Sequence, residues 1–129
     1  MRFPFVGEPL SPVPRPFVDV VVDDLEQPLL CLVDTGSLRS RLPAWVAEVA
    51  GIDLSSSARD AIAVGGLQSI ARHAHVALTI GDMTFPTSAW FCDPWDMPFG
   101  LLGQEDVLFA LRFTCCARDG WFELERERR

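Results

Sequence analysis

The sequence predicts an all-β fold whose strands close into a barrel. Three observations support this class. Segments rich in β-branched and aromatic residues recur along the 129 residues, glycine and proline turn signals separate them at close spacing, and only two short segments have helical character. The chain shows no internal repeat and no linker and is long enough to bury a core. We therefore expect one domain.

The first elements follow a proline-rich N-terminal arm, residues 1–16, which we expect to be extended because proline removes ladder donors and resists helix. Residues 17–22 are rich in valine and predict a strand. Residues 29–33 form a continuous apolar run, typical of a strand buried on both faces. Residues 43–51 are the best helix candidate, since proline suits the first turn and glycine can end the helix.

A glycine-tipped hairpin comes next. Residues 58–64 and 67–80 predict two strands joined at Gly65-Gly66, a strong turn signal. Residues 84–91 predict a further strand, and the prolines within 92–100 predict a loop.

The last elements are a short helix and a final hairpin. We expect the helix within 103–111 and strands at 112–117 and 121–125. The charged tail, 126–129, is expected to fray. The predicted domain thus spans residues 17–125.

Composition limits the possible functions. The net charge of −7 argues against a nucleic-acid partner, which needs clustered cations. No apolar run is long enough to cross a membrane, and no signal peptide is evident, so the expected location is cytoplasmic. The four cysteines lack metal-site spacing and are expected to be reduced and largely buried.

The sequence Asp34-Thr35-Gly36-Ser37 is the first chemical candidate. A carboxylate directly after a buried strand is costly unless hydrogen bonds hold it. Thr35 and Ser37 supply hydroxyl groups, and Gly36 allows a sharp turn that brings amide groups close. An ordinary β-turn would use the same residue types, so these four residues alone do not distinguish a catalytic loop from a turn.

A second motif, Phe99-Gly100-Leu101-Leu102-Gly103, lies far downstream, with the glycine-tipped hairpin between the two. In this order the chain resembles the retropepsin-like aspartic peptidases, the family of retroviral proteases and their bacterial relatives. Residues 30–37, 63–66 and 100–105 carry the resemblance, which extends over residues 17–125. It implies a closed acid-protease barrel with one or two short helices and a flap hairpin.

The resemblance also implies roles for individual residues. Asp34 would be the catalytic aspartate, Thr35 would bond across a dimer, and Gly36 would offer its carbonyl to the substrate backbone. Two further sets follow from the same likeness. The flap tip over the substrate would be Val64, Gly65 and Gly66, and the ψ-shaped loop under the site would be Leu101, Leu102 and Gly103.

The implied reaction is peptide hydrolysis by two aspartates sharing one proton, with a water as nucleophile and no metal or cofactor. The chain holds one Asp-Thr-Gly motif, so the mechanism requires a homodimer with one Asp34 from each chain. The apolar arm around Phe3, Phe5 and Val6 is a candidate dimer contact. Ser37 is expected to reach the Asp34 carboxylate, so that Ser37→Ala would move the acid limb of the pH–rate profile towards neutral pH.

Three alternatives remain at this point. An aspartyl-phosphate enzyme also has Asp before Thr and Gly, but that chemistry needs a lysine and the chain has none. His73 and His75 share a strand face and are a weaker candidate for a metal site. The third alternative is a catalytically silent retropepsin-like module for binding or dimerisation.

Overall fold

Ten strands and two helical segments make up the computed structural model, which describes residues 1–64 and 66–127. The strands are β1 Arg2–Pro4, β2 Phe17–Val22, β3 Leu29–Val33, β4 Arg41–Pro43, β5 Arg59–Val64, β6 Leu67–Ile80, β7 Met83–Asp93, β8 Gly100–Leu102, β9 Leu111–Cys116 and β10 Trp121–Arg126. Helix α1 spans Ala44–Ala50, and a π-helical turn spans Gln104–Leu108.

Six strands close into a barrel. The sheet order is β2-β3-β8-β4-β7-β6-β5, and β2 pairs a second time with β6 through Val21↔Thr79 and Val22↔Leu78. This pairing joins the two sides of the sheet and leaves β5 as an extra strand outside β6. The closed β barrel predicted from the sequence is therefore confirmed.

Side chains from alternating strand positions fill the barrel. Val20, Leu42, Phe91 and Leu102 are all at most 1% exposed. Burying a side chain of this size stabilises the fold by about 1.5–3 kcal/mol. A separate small cluster on the outer face of β3 and β8 contains Phe17, Leu32 and Leu101, so these two strands are covered on both faces, as the apolar run in β3 predicted.

Helix α1 agrees with its prediction. Pro43 precedes it in an extended conformation, and Gly51 ends it with φ at 73°, in the left-handed region that glycine tolerates best. The N–H of Gly51 caps the carbonyls of Ala47 and Glu48.

The second predicted helix, 103–111, is wrong in extent. Only the five residues of the π-helical turn are helical, because Leu111 already pairs with Arg126 in β9 and β10. Strand β4 was not predicted, since its three residues carry no periodicity. Strand β7 continues to Asp93, two residues into the predicted loop, because Ile70 of β6 still pairs there.

The N-terminal arm folds back on its own chain. Strand β1 pairs with β10, and the rings of Phe3 and Phe5 lie 5.3 and 6.0 Å from the ring of Phe122. These two phenylalanines pack against their own chain and stay partly exposed, and the suggestion that the arm contacts a dimer partner stays a prediction. Val6 stays 36% exposed.

The cysteines divide into two pairs. Cys31 and Cys92 are buried, as expected, but Cys115 is exposed and Cys116 partly so, because β9 lies at an edge of its sheet. Burial raises the pKa of the Cys92 thiol to about 11, which leaves it a poor nucleophile. Within the described residues, no helix is both long and apolar enough to traverse a bilayer.

Candidate active site

The carboxyl end of β3 places Asp34 at the centre of the site. Strand β8 runs parallel to β3, with Val33 paired to Leu102, and the N–H of Asp34 donates to the Leu102 carbonyl at 3.0 Å. The two motifs that the sequence places far apart are therefore neighbours. Leu101 and Leu102 are buried, and they fix the backbone beneath the Asp34 loop.

The Asp34 carboxylate is half-buried and held by the loop itself. Its Oδ1 accepts the N–H of Gly36 at 3.0 Å, and its backbone carbonyl accepts the N–H of Ser37 at 3.1 Å. A Cβ at position 36 would lie 3.2 Å from that same Oδ1, which would crowd the hydrogen bond. Thr35 and Gly36 are exposed beside the carboxylate.

Ser37 has a different role from the one expected. Its hydroxyl donates to the Arg39 carbonyl at 2.7 Å. Since a hydroxyl has a single proton, it does not donate to the Asp34 carboxylate in this structure. The expected Ser37–Asp34 bond is wrong here, because the turn carries the hydroxyl forward along the loop.

Gly103 is the point where the two loops cross most closely. A Cβ there would lie 2.4 Å from the backbone carbonyl carbon and oxygen of Arg39, so no other residue fits without moving the loop. Past this crossing, Gln104 donates its backbone N–H to the Ser37 carbonyl at 3.0 Å and its side-chain amide to the Thr35 carbonyl.

Ser40 and Asp106 form a second tie that the sequence did not predict. The carboxylate of Asp106 accepts the Ser40 backbone N–H and hydroxyl, while the hydroxyl oxygen accepts the N–H of Gly103 at 2.9 Å. Ser40 is fully buried. Because the residues are far apart in sequence, it is the pairing of β8 with both β3 and β4 that brings them together.

Arg39 links the Asp34 loop to the hairpin. Its guanidinium lies 2.9 Å from Asp60 on β5, 3.7 Å from Glu105 and 4.4 Å from the centre of the Trp90 ring. Both carboxylates are well exposed, so each ion pair alone stabilises the fold by at most about 1 kcal/mol. The sequence carries no signal for this link.

The predicted hairpin is present as β5 and β6, whose register runs from Arg59↔Arg72 to Val64↔Leu67. Gly66 has φ at 84°, as a tight turn requires. Gly65 and the side chain of Val64 lie outside what the structure describes. A cavity of about 460 Å³ lies along the hairpin. It is lined by Ala61, Ile62, Ala63, Gln68, Ser69, Ile70 and Pro94.

The apolar side chains that flank the two motifs and the hairpin have different positions. Leu38 is 62% exposed, four residues after Asp34 on the same loop, and Ile62 lines the hairpin cavity. Phe91 is buried in the barrel core. Trp95 and Met97 pack against the outer cluster of β3 and β8.

The two histidines form a pair without a metal site around them. The ring of His73 lies 5.3 Å from that of His75 and 5.2 Å from that of Trp90. Burial lowers the pKa of His73, and repulsion from His75 lowers it further. Across residues 1–64 and 66–127, no three His, Cys, Asp or Glu side chains come together as a metal site requires.

Comparison with known proteins identifies the family. The family model described as aspartyl protease matches residues 18–105, more than half of the chain. The chain belongs to this aspartyl protease family, and its resemblance to the retropepsin-like aspartic peptidases is thereby confirmed. No curated protein sequence matches the chain.

Three solved structures share the fold. A retropepsin-like aspartic protease from Rickettsia conorii matches with a TM-score of 0.69, 16% identity and coverage of 95% of this chain and 98% of that chain. The retroviral protease-like domain of Ddi1 from Leishmania major matches with a TM-score of 0.54 and 16% identity, and the match covers 70% of this chain and 73% of that chain. The EIAV protease in complex with the inhibitor HBY-793 matches with a TM-score of 0.50 and 22% identity, and the match covers 78% of this chain and 89% of that chain. At these identities, the likeness shows the fold alone.

Proposed function

We propose that this protein is an aspartic endopeptidase that works as a homodimer, with one Asp34 carboxylate from each chain. The observation that carries the proposal is the geometry at Asp34. Asp34 follows a buried strand, and its backbone N–H donates to the Leu102 carbonyl. Its half-buried carboxylate accepts the N–H of Gly36, and Thr35 and Gly36 beside it are exposed. A partner chain therefore has access to the carboxylate.

The proposed chemistry uses two carboxylates that share one proton. The ionised Asp34 removes a proton from a water, which attacks the peptide carbonyl. The protonated Asp34 of the partner chain gives its proton to that carbonyl oxygen, so that a neutral tetrahedral diol forms. The first Asp34 then passes the proton taken from the water to the amide nitrogen as the C–N bond breaks, and the partner's Asp34 regains its proton as the new carboxyl group forms. The N–H of Gly36, on Asp34 Oδ1, keeps the carboxylate in one orientation through these steps.

The proposed substrate is a peptide in extended conformation with apolar side chains. It would lie between the Asp34 loop and the hairpin of β5 and β6. Ile62 and the neighbouring alanines line a cavity along that hairpin, which offers apolar surface for such side chains. Exposed Leu38 adds apolar surface on the same loop as Asp34. The free cysteines suit a reducing compartment, so the proposed location is the cytoplasm.

Peptide-library cleavage tests the proposal. Concentrated protein is assayed at several pH values, with and without a pepstatin-type inhibitor, beside Asp34→Asn and the control Asp24→Asn on an exposed turn. We expect cleavage that the inhibitor blocks, that Asp34→Asn abolishes without unfolding, and that the control keeps. Undiminished cleavage by Asp34→Asn would refute the proposal. A folded, dimeric protein that cleaves nothing would favour the silent binding module instead.

A further inference from the structure

A second cavity, of about 450 Å³, lies at the base of the hairpin. It opens between one face of β5, β6 and β7 and the segment that follows α1. Its walls are Ala44, Leu54, Ser55, Arg59, Ile70, Arg72, Phe91 and Asp93. Asp60, the neighbour of Arg59, binds Arg39 of the Asp34 loop. Since successive strand residues point to opposite faces, the cavity is on the face of the hairpin turned away from that contact.

Two arginines stand directly opposite each other in this cavity. Arg59 on β5 pairs in register with Arg72 on β6, which brings both guanidinium groups to one face of the sheet. Like charges at directly opposed positions destabilise a strand pair. In a chain with a net charge of −7, two adjacent cations in one concave place need a physical reason.

Neither arginine has a carboxylate partner within the described part of the chain. The ion pairs found there, with N–O distances up to 4.0 Å, use Arg2, Arg39 and Arg112. Half-buried Arg72 makes one long contact, 3.5 Å from Nη1 to the Leu54 carbonyl. Each guanidinium carries five N–H donors, so most of the donors of Arg72 remain available.

One carboxylate, that of Asp93, also lines the cavity. It pairs with Ile70, one step along the same face from Arg72, but forms no ion pair with either arginine. The charges within the cavity are therefore two positive and one negative. The two arginines would attract an anion that enters the cavity, and the Asp93 carboxylate would repel it.

We propose that Arg59 and Arg72 form a binding site for a small oxyanion, either a carboxylate or a phosphate group. The planar guanidinium fork matches both groups, since each offers two oxygens to parallel N–H donors. Apolar walls at Ile70 and Phe91 shield one side of the pair from water and so strengthen the attraction. Because the arginines stand on different strands, a bound anion fastens β5 to β6 at the base of the hairpin.

Calorimetric titration of the full chain at constant ionic strength tests the site. The probes are inorganic phosphate, succinate and a short glutamate-containing peptide, each compared with sodium chloride. We expect saturable binding of at least one probe, and the tightest one distinguishes a phosphate, a free small diacid and an acidic side chain of a polypeptide. Signals that do not saturate, or that chloride reproduces, would overturn the proposal.

The anion affinities of four variants distinguish binding at this site from a general effect of protein charge. Arg59→Gln and Arg72→Gln should each weaken binding about tenfold or more, as expected for a lost charge-assisted hydrogen bond. Asp93→Asn should tighten it, and Arg118→Gln, at an exposed arginine elsewhere, should leave it unchanged. Arg59 is exposed, so its variant remains informative even if Arg72→Gln fails to fold. Equal affinity in Arg59→Gln and the unaltered protein would defeat the assignment.

Discussion

Ser40 donates its backbone N–H to both carboxylate oxygens of Asp106, at 2.9 and 3.1 Å, and its hydroxyl to one of them. Asp106 also accepts the N–H of Val107 at 2.7 Å. The contact joins the end of the Asp34 loop to the π-helical turn. Together with the bond from Asp34 to Leu102 and those from Gln104 to Ser37 and Thr35, it ties the two loops of the site together.

This relationship predicts a stability effect. Ser40→Ala removes the hydroxyl that donates to Asp106 and accepts the N–H of Gly103, and so leaves that buried N–H without this partner. We expect the free energy of unfolding to fall by about 1–3 kcal/mol. Urea denaturation of Ser40→Ala, with Ser56→Ala at an exposed serine as the control, measures the difference. Equal midpoints in both variants would show that the tie contributes nothing.

The proposed dimer predicts an effect at Thr35. Thr35 is exposed in the single chain, so Thr35→Val should leave the folded protomer intact. If its hydroxyl bonds to the partner chain, two symmetric bonds of about 1 kcal/mol each are lost, and the dimer dissociation constant should rise about 30-fold.

Sedimentation equilibrium measures that constant, and specific activity should fall in parallel at low protein concentration. Thr35→Ser, which keeps the hydroxyl, tests whether the effect belongs to that group. A protein that is monomeric at high concentration and still cleaves peptides at full rate would contradict the dimer.

Much of the fold could be predicted because strand signals are local. The valines of β2, the apolar run of β3 and the glycine turn after β5 each depend on neighbouring residues only. The same holds for the end of α1 at Gly51. Strand β4 is three residues long, and β1 becomes a strand only through its pairing with β10, so neither had a local signal.

The site was predicted in part for a similar reason. Asp34 and Leu102 belong to motifs whose order is informative, and the structure brings them into contact. The tie between Ser40 and Asp106 depends on which strands become neighbours, and sequence spacing does not contain that information. The Ser37 hydroxyl shows the same limit at short range, because its direction depends on the turn that the loop adopts.

His73 predicts a pH dependence of stability. Burial holds the pKa of His73 below the ordinary value of 6.5, and the positive charges of His75 and Arg39 lower this pKa further. The negative charge of Asp106 raises it, but by less than burial lowers it. The unfolded chain therefore takes up a proton at higher pH than the folded chain does. Stability should fall as the pH decreases through about 6.5 and towards the lower pKa of the folded state.

Melting temperatures measured from about pH 7 to about pH 5 for the unaltered protein and for His73→Gln check this effect. The variant should show a shallower decrease, and His75→Gln, at an exposed position, should keep most of it. Parallel curves for His73→Gln and the unaltered protein would show that His73 makes no contribution in this range.

Ser37→Ala separates a structural role from a catalytic one. In the structure the Ser37 hydroxyl donates to the Arg39 carbonyl at 2.7 Å, and Asp34 Oδ1 accepts the N–H of Gly36. The substitution should therefore lower the free energy of unfolding by about 1 kcal/mol, the net contribution of one hydrogen bond. The acid limb of the pH–rate profile should stay in place, because no donor to the carboxylate is lost.

Ser37→Thr keeps a hydroxyl and should recover the stability. An acid limb that moves towards neutral pH in Ser37→Ala, but not in Ser37→Thr, would mean that the hydroxyl turns to Asp34 in the working dimer.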